Sequence, residues 1–130
     1  MKPPILAITT TLCLLLEGCQ TAGPSKGFTD ITPAQLGTLL EAKDFFFVNT
    51  HIPYEGEIAE TDAFIPYDQI ESYASELPSD KDAKIVLYCR SGRMSEIAAA
   101  ELVQRGYTQV FELDGGMIAW EEAGLPLVHK

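Results

Sequence analysis

Lys84-Ile85-Val86-Leu87-Tyr88 constrains the fold more than any other stretch of this chain. Four apolar or aromatic residues in a row behind one lysine suit a strand buried on both faces. Such strands belong to parallel sheets covered by helices. A helical pattern follows after a short loop. Ser95–Arg105 carries the alanine-rich stretch Ala98-Ala99-Ala100 and meets a C-terminal stop at Gly106.

The same alternation runs through the body of the chain. Thr32 at an N-cap and Pro33 at the first helical position start a helix whose apolar face is Leu36, Leu39 and Leu40. Phe45-Phe46-Phe47-Val48 reads as a buried strand, followed by a polar, acidic loop over Asn49–Asp62. Ala63-Phe64-Ile65 reads as a short strand stopped by Pro66, and Tyr67–Leu77 as a helix ended by Pro78-Ser79-Asp80. Gln109–Leu113 is another strand, and after the turn at Gly115-Gly116 a last helix covers Met117–Ala123. The expected fold class is α/β, with a mostly parallel central sheet flanked by helices on both faces. In such sheets ligands bind beyond the carboxyl ends of the strands. Two segments are expected there: the Asn49–Asp62 loop and the loop that begins at Cys89.

The first residues read as an address rather than as part of this fold. Met1 and Lys2 precede an apolar stretch, Ile5–Leu16, too short to span a bilayer and suited to a secretory signal. Pro3, Pro4 and the threonines Thr9–Thr11 argue against a buried helix of the domain. Leu16-Glu17-Gly18-Cys19 resembles the lipobox of bacterial lipoproteins, which implies that Cys19 is lipidated and becomes the first mature residue. Glu17 departs from the small or apolar residue usual at its position, so a conventionally cleaved or uncleaved signal stays open. The expected organisation is a signal peptide over 1–18, a flexible tether over 19–27 and one domain over 28–130. It places the protein outside the cytoplasm, in the cell envelope, anchored to a membrane through lipid. In a Gram-negative host the anchor would face the periplasm, and Gln20 after Cys19 would direct it to the outer membrane.

The net charge of -10 excludes simple electrostatic binding of nucleic acid or anionic lipid. Against that acidic background the three arginines are Arg90, Arg93 and Arg105, and two of them lie within four residues of Cys89. Surface loops often carry arginine. Beside a cysteine, however, two guanidinium groups favour the approach of an anion. Of the cysteines Cys13, Cys19 and Cys89, the first lies in the apolar leader and the second just after it at the lipidation position, so Cys89 is expected to be a free thiol.

Tyr88-Cys89-Arg90-Ser91-Gly92-Arg93-Met94-Ser95 carries the chemistry. A lone cysteine after an apolar strand is most often an inert core residue. Here a glycine-containing loop and a helix start follow it. Loop amides, the free N–H groups of the first helical turn and the helix dipole then converge on the sulfur. Such surroundings bring cysteine pKa values from about 8.5 to roughly 3.5–7.5, giving a thiolate nucleophile at neutral pH.

This segment resembles the active-site loop of the rhodanese-like sulfurtransferases. Asp114-Gly115-Gly116-Met117-Ile118-Ala119-Trp120, with Gly124-Leu125-Pro126 beyond it, resembles the family's C-terminal signature in the right order. The resemblance covers roughly Thr29–Leu127. It implies a rhodanese-like fold and a cycle in which Cys89 takes a sulfane sulfur from thiosulfate or a persulfide. That sulfur then passes to a thiol, cyanide or a protein. It further implies that backbone amides from Arg90 to Met94, Ser91 and Gly92 among them, cradle the persulfide. Arg90 and Arg93 would attract a small anionic donor, while Ser91 and Ser95 would add hydroxyl donors. Trp120 is expected to be structural.

One segment departs from the family. Its Asp-x-Arg pair and Gly-His-Ile-Pro-Gly-Ala stretch are represented by Asn49-Thr50-His51 and Glu60-Thr61-Asp62-Ala63-Phe64-Ile65-Pro66. His51 is expected to donate a proton or hydrogen-bond toward the active loop. His51, Glu55 and Glu57 are not expected to bind a metal, because His129, the second histidine, lies far along the chain. No metal and no cofactor is expected. Cysteine phosphatases and arsenate reductases on related folds are rivals. Tyrosine phosphatases require an arginine where Ser95 stands, and the six-residue loop Cys89–Met94 has the rhodanese length rather than the seven of related phosphatases. A lipid-anchored carrier or protein-binding module without turnover is the non-enzymatic alternative.

Overall fold

A computed structural model describes residues 26–129. The leader, the Cys19 lipidation site and most of the expected tether lie outside the described residues. Strands β1 (Thr29–Ile31), β2 (Phe46–Asn49), β3 (Ala63–Phe64), β4 (Lys84–Tyr88) and β5 (Gln109–Leu113) form one sheet in the order β1-β5-β4-β2-β3. Every pairing between them is parallel. Helices α1 (Pro33–Glu41), α2 (Arg93–Gln104) and α3 (Gly116–Glu122) cover it.

Alternation along β4 decides which helix lies on which face. Ile85 and Leu87 pack with Ala98, Ala99 and Leu102 of α2, together with Val48, Ile70 and Val110. Val86 and Tyr88 point the other way, to Leu36 of α1 and to Met117 and Trp120 of α3. The two-faced α/β architecture is therefore as expected. The next residue to point toward α2, after Ile85 and Leu87, is Cys89. Thus the register of β4 aims the cysteine at the start of α2.

Local signals hold well at the start of α1. Thr32 Oγ1 accepts from Gln35 N–H at 3.2 Å and the Gln35 side chain accepts from Thr32 N–H at 2.8 Å, a complete capping box. Elsewhere they mislead. The expected helix over Tyr67–Leu77 is instead a chain of turns with a single 3-10 turn at Ala74–Glu76. Its amides reach mostly three residues back, as from Gln69 to Pro66 and from Glu76 to Tyr73. Packing explains the change: the turns bury Ile70 and Leu77 on the α2 side of the sheet, where the Tyr107 hydroxyl donates to Pro78 O. α2 begins at Arg93, two residues earlier than expected, because Gly92 turns the chain with φ 107. β1 was not expected. It has three residues and a mostly exposed pattern, too short for periodicity to reveal.

Candidate active site

Cys89 leaves the end of β4 with only 1% of its surface exposed. It is the free cysteine of the described residues. Its Sγ accepts from Gly92 N–H at 3.0 Å and from the Ser95 hydroxyl at 3.3 Å. Of the amides from Arg90 to Met94 expected to cradle a persulfide, Gly92 N–H reaches the unmodified sulfur. Ser91 is exposed and Met94 half-buried. Ser95 is fully buried, at the first turn of α2.

The glycine signature earns a physical role beside the loop. Met117 N–H donates to Cys89 O at 2.8 Å and Ile118 N–H to Arg90 O at 3.0 Å. The first amides of α3 therefore grip the backbone of the cysteine loop. Gly116 lies under that grip with φ +57, and a Cβ there would collide with Cys89 O and the Arg90 carbonyl. Glycine permits both the backbone angle and the close approach. Trp120 is buried and its indole N–H donates to Pro126 O at 2.9 Å, the structural role expected of it.

The Asn49–Asp62 loop is tied from its own side. Thr50 gives both N–H and Oγ1–H to Tyr88 O, at 2.8 and 2.9 Å. Asn49 bridges the loop, with Nδ2 on Gly56 O at 3.0 Å and Oδ1 accepting His51 N–H at 3.0 Å. The Tyr88 hydroxyl accepts from Ile58 N–H at 3.0 Å and bonds Thr61 Oγ1 at 2.7 Å. Burial pushes that phenol up from its ordinary range. Val128 exchanges backbone hydrogen bonds with Glu57, clasping the loop from the C-terminal tail.

Glu55 joins the two loops. Its Oε2 accepts from Arg90 at 2.6 Å and lies 3.0 Å from His51 Nε2. The Arg90 guanidinium holds the Glu55 carboxyl below the usual carboxylate range, and His51 adds to the effect. His51 is buried and reaches the cysteine loop through Glu55 rather than directly. Arg90 is consequently engaged, whereas Arg93 is exposed and has no ion pair among the described residues. A cavity of about 130 Å³ beside the loop is lined by Glu55, Arg90, Met117, Ile118, Glu121 and Leu127. Pockets for drug-sized ligands run from about 300 Å³ upward, so this space suits a small group.

A second buried group lies under the loop. Glu112 of β5 is fully buried, and its Oε1 lies 2.6 Å from Ser95 Oγ. Burial pushes its carboxyl up to about 8; the Ser95 hydrogen bond opposes that shift, and the nearby charges of Asp30, Glu96 and Asp114 add to it. Carboxylate oxygens of Asp30, Glu96 and Glu112 lie within 4.8 Å of one another. Their repulsion is relieved from within the chain, by Lys26 on Asp30 at 3.1 Å and by the upward shift at Glu112. Sequence reasoning passed over Glu112, although a charged residue inside the otherwise apolar Val110-Phe111-Glu112-Leu113 was a signal.

The description "Rhodanese-like domain" matches residues 32–123. A sulfurtransferase of Allochromatium vinosum is 43% identical over 94 residues, covering 69% of this chain and 84% of its own. A rhodanese-related protein of Thermoplasma volcanium superposes with a TM-score of 0.66 at 26% identity, covering 78% of this chain and 99% of its own. The tRNA uridine(34) hydroxylase of Photorhabdus laumondii is 31% identical over 118 residues, covering 83% of this chain but only 34% of that enzyme. A parallel sheet with a cysteine loop at its carboxyl edge and a glycine pair beneath it defines a rhodanese-type domain. This chain belongs to the rhodanese-like family.

Proposed function

We propose that the protein is a sulfurtransferase in which Cys89 carries the sulfur. The carrying observation is the sulfur itself, buried at the end of β4 with donors from Gly92 and Ser95 aimed at it. The Cys89 thiolate attacks the outer sulfur of thiosulfate, or of a persulfide. A bond forms between Sγ and that sulfur as the bond to sulfite, or to the donor thiolate, breaks and its electron pair leaves with it. A thiophilic acceptor such as cyanide, a thiol or a protein cysteine then attacks the terminal sulfur and releases the Cys89 thiolate. No external oxidant or reductant is required.

Incubating the full chain with thiosulfate and mass-mapping its peptides tests this reading. A gain of one sulfur atom on the Cys89 peptide, lost in Cys89→Ser, is expected. The absence of both an adduct and, on adding cyanide, of thiocyanate would sink it. Because Glu55 already occupies Arg90, delivery of sulfur by a partner persulfide is a second reading. It is supported if a low-molecular-weight persulfide loads Cys89 where thiosulfate does not. We further propose that the domain is tethered to the cell envelope through lipid on Cys19. Incorporation of labelled palmitate, abolished in Cys19→Ala, is expected, and an unlabelled wild type would refute the anchor.

A further inference from the structure

Ser95 holds one hydroxyl hydrogen among three acceptors. Glu112 Oε1 lies at 2.6 Å, Gly92 O at 3.1 Å and Cys89 Sγ at 3.3 Å. Gly92 O also receives Glu96 N–H at 3.0 Å and keeps a second lone pair for Ser95. As a neutral acceptor it is weaker than an ionised carboxyl or an ionised sulfur, so the contest that charge can tip lies between those two. The 2.6 Å contact is the shorter, and an ionised Glu112 would capture the hydrogen.

Several observations place the proton on Glu112 instead. The residue is fully buried, and its Oε2 has no hydrogen-bond partner. An ionised carboxylate with one bare, buried oxygen is costly, whereas a neutral acid leaves only a carbonyl-like oxygen unpaired. The groups around it are also mainly acidic. Asp30 on β1 stands in register with it, Glu96 follows Ser95 on α2, and Asp114 follows on its own strand. Lys26, the nearby cation, is spent on Asp30, while Cys89 closes the site from β4. Gly92 lies directly above: a Cβ there would sit 3.4 Å from Glu112 Oε1.

We propose that Glu112 is a positioning residue: as a neutral acid it donates to Ser95 Oγ and so turns the Ser95 hydrogen onto the Cys89 sulfur. The sulfur then keeps two donors, Gly92 N–H and Ser95 O–H, through thiolate and persulfide states. The role rests on the reading of Cys89 as the sulfur carrier. Ionisation of Glu112 reverses the direction. Ser95 donates back to the carboxylate, and the sulfur loses a donor while facing a new negative charge. The sign follows from a carboxyl raised to about 8. The arrangement operates below that pH and fails as pH rises through it.

The test uses the full chain and single-turnover sulfur uptake from thiosulfate, followed across the Glu112 value of about 8. Wild type is expected to slow as pH passes that value. Glu112→Gln keeps a neutral donor against Ser95, so its neutral-pH rate stays within about twofold and the alkaline decline disappears. Ser95→Ala is expected to lose about tenfold at neutral pH, the value of one hydrogen bond to a charged sulfur. An alkaline decline surviving intact in Glu112→Gln overturns the proposal. So does a Glu112→Gln rate as low as that of Ser95→Ala.

Infrared difference spectroscopy of the wild type supplies a readout that needs no turnover. A protonated-carboxyl C=O band should be present at neutral pH, fade as pH passes about 8 and be missing from Glu112→Gln. Absence of that band overturns the proposal even if sulfur transfer proceeds. A wild type that shows the band but takes up no sulfur removes the sulfurtransferase reading while upholding the state of Glu112.

Discussion

The two loops at the carboxyl edge of the sheet are held by different balances of backbone and side-chain bonds. Backbone atoms fix the cysteine loop: α3 amides on Cys89 O and Arg90 O, and Gly92 N–H on the sulfur. The Asn49–Asp62 loop adds side-chain bonds through Asn49, Thr50, Tyr88 and Thr61 to its backbone bonds at Thr50 and between Glu57 and Val128. Backbone restraint tolerates any side chain that leaves the close approaches open, whereas side-chain restraint can be rebuilt around a different ligand. The place of Cys89 thus follows from the fold, and the character of its surroundings from particular residues.

The comparison breaks most severely at Gly116. Gly116→Ala places a methyl group against Cys89 O and the Arg90 carbonyl at a backbone angle that L residues seldom adopt. Either α3 moves away or the cysteine loop does. We expect sulfur uptake to fall by about 100-fold, since small misplacements of a reacting group cost that much. Overpacking should destabilise the fold by about 1–3 kcal/mol, read as a lower urea midpoint. Wild-type uptake with a wild-type midpoint would show that α3 does not hold the loop.

The same contrast explains what was legible in the sequence. Features set by neighbours in sequence announced themselves through glycine, proline, capping residues and periodicity: the β4–Cys89–α2 passage, the cap at Thr32 and the Gly115-Gly116 turn. The side-chain network did not, because Asn49, Thr50, Glu55 and Glu112 have ordinary residue types whose meaning depends on what lies across the fold. Arg90 shows the limit clearly. Near a cysteine it reads as an anion trap, yet its partner Glu55 stands 35 positions away in sequence. Tyr67–Leu77 failed for a related reason. Its helical pattern was real, but burial of Ile70 and Leu77 against the sheet favoured a string of turns.

A smaller change at Glu55 sharpens the comparison, since that residue ties both loops at one carboxylate oxygen. Glu55→Gln removes its charge and leaves the shape nearly unchanged. The Arg90 guanidinium, more than half exposed, then faces the solvent uncompensated. A dianionic donor should bind more readily, and we expect the KM for thiosulfate to fall roughly two- to fivefold at low salt, the scale of an exposed ion pair. Added salt should erase the difference. The kcat should stay level, because Glu55 makes no contact with the sulfur. Arg90 and His51 lower the carboxyl from its ordinary value of 4.5. In wild type the pair therefore persists through neutral pH and is lost only as pH falls below the ordinary carboxylate range. Acidification from neutrality toward that range should leave this contribution to KM unchanged. A KM that stays level in Glu55→Gln would mean that Arg90 does not meet the donor. A KM that rises would mean that Glu55 serves to aim Arg90 rather than to mask it, and the polar loop would then be part of donor recognition.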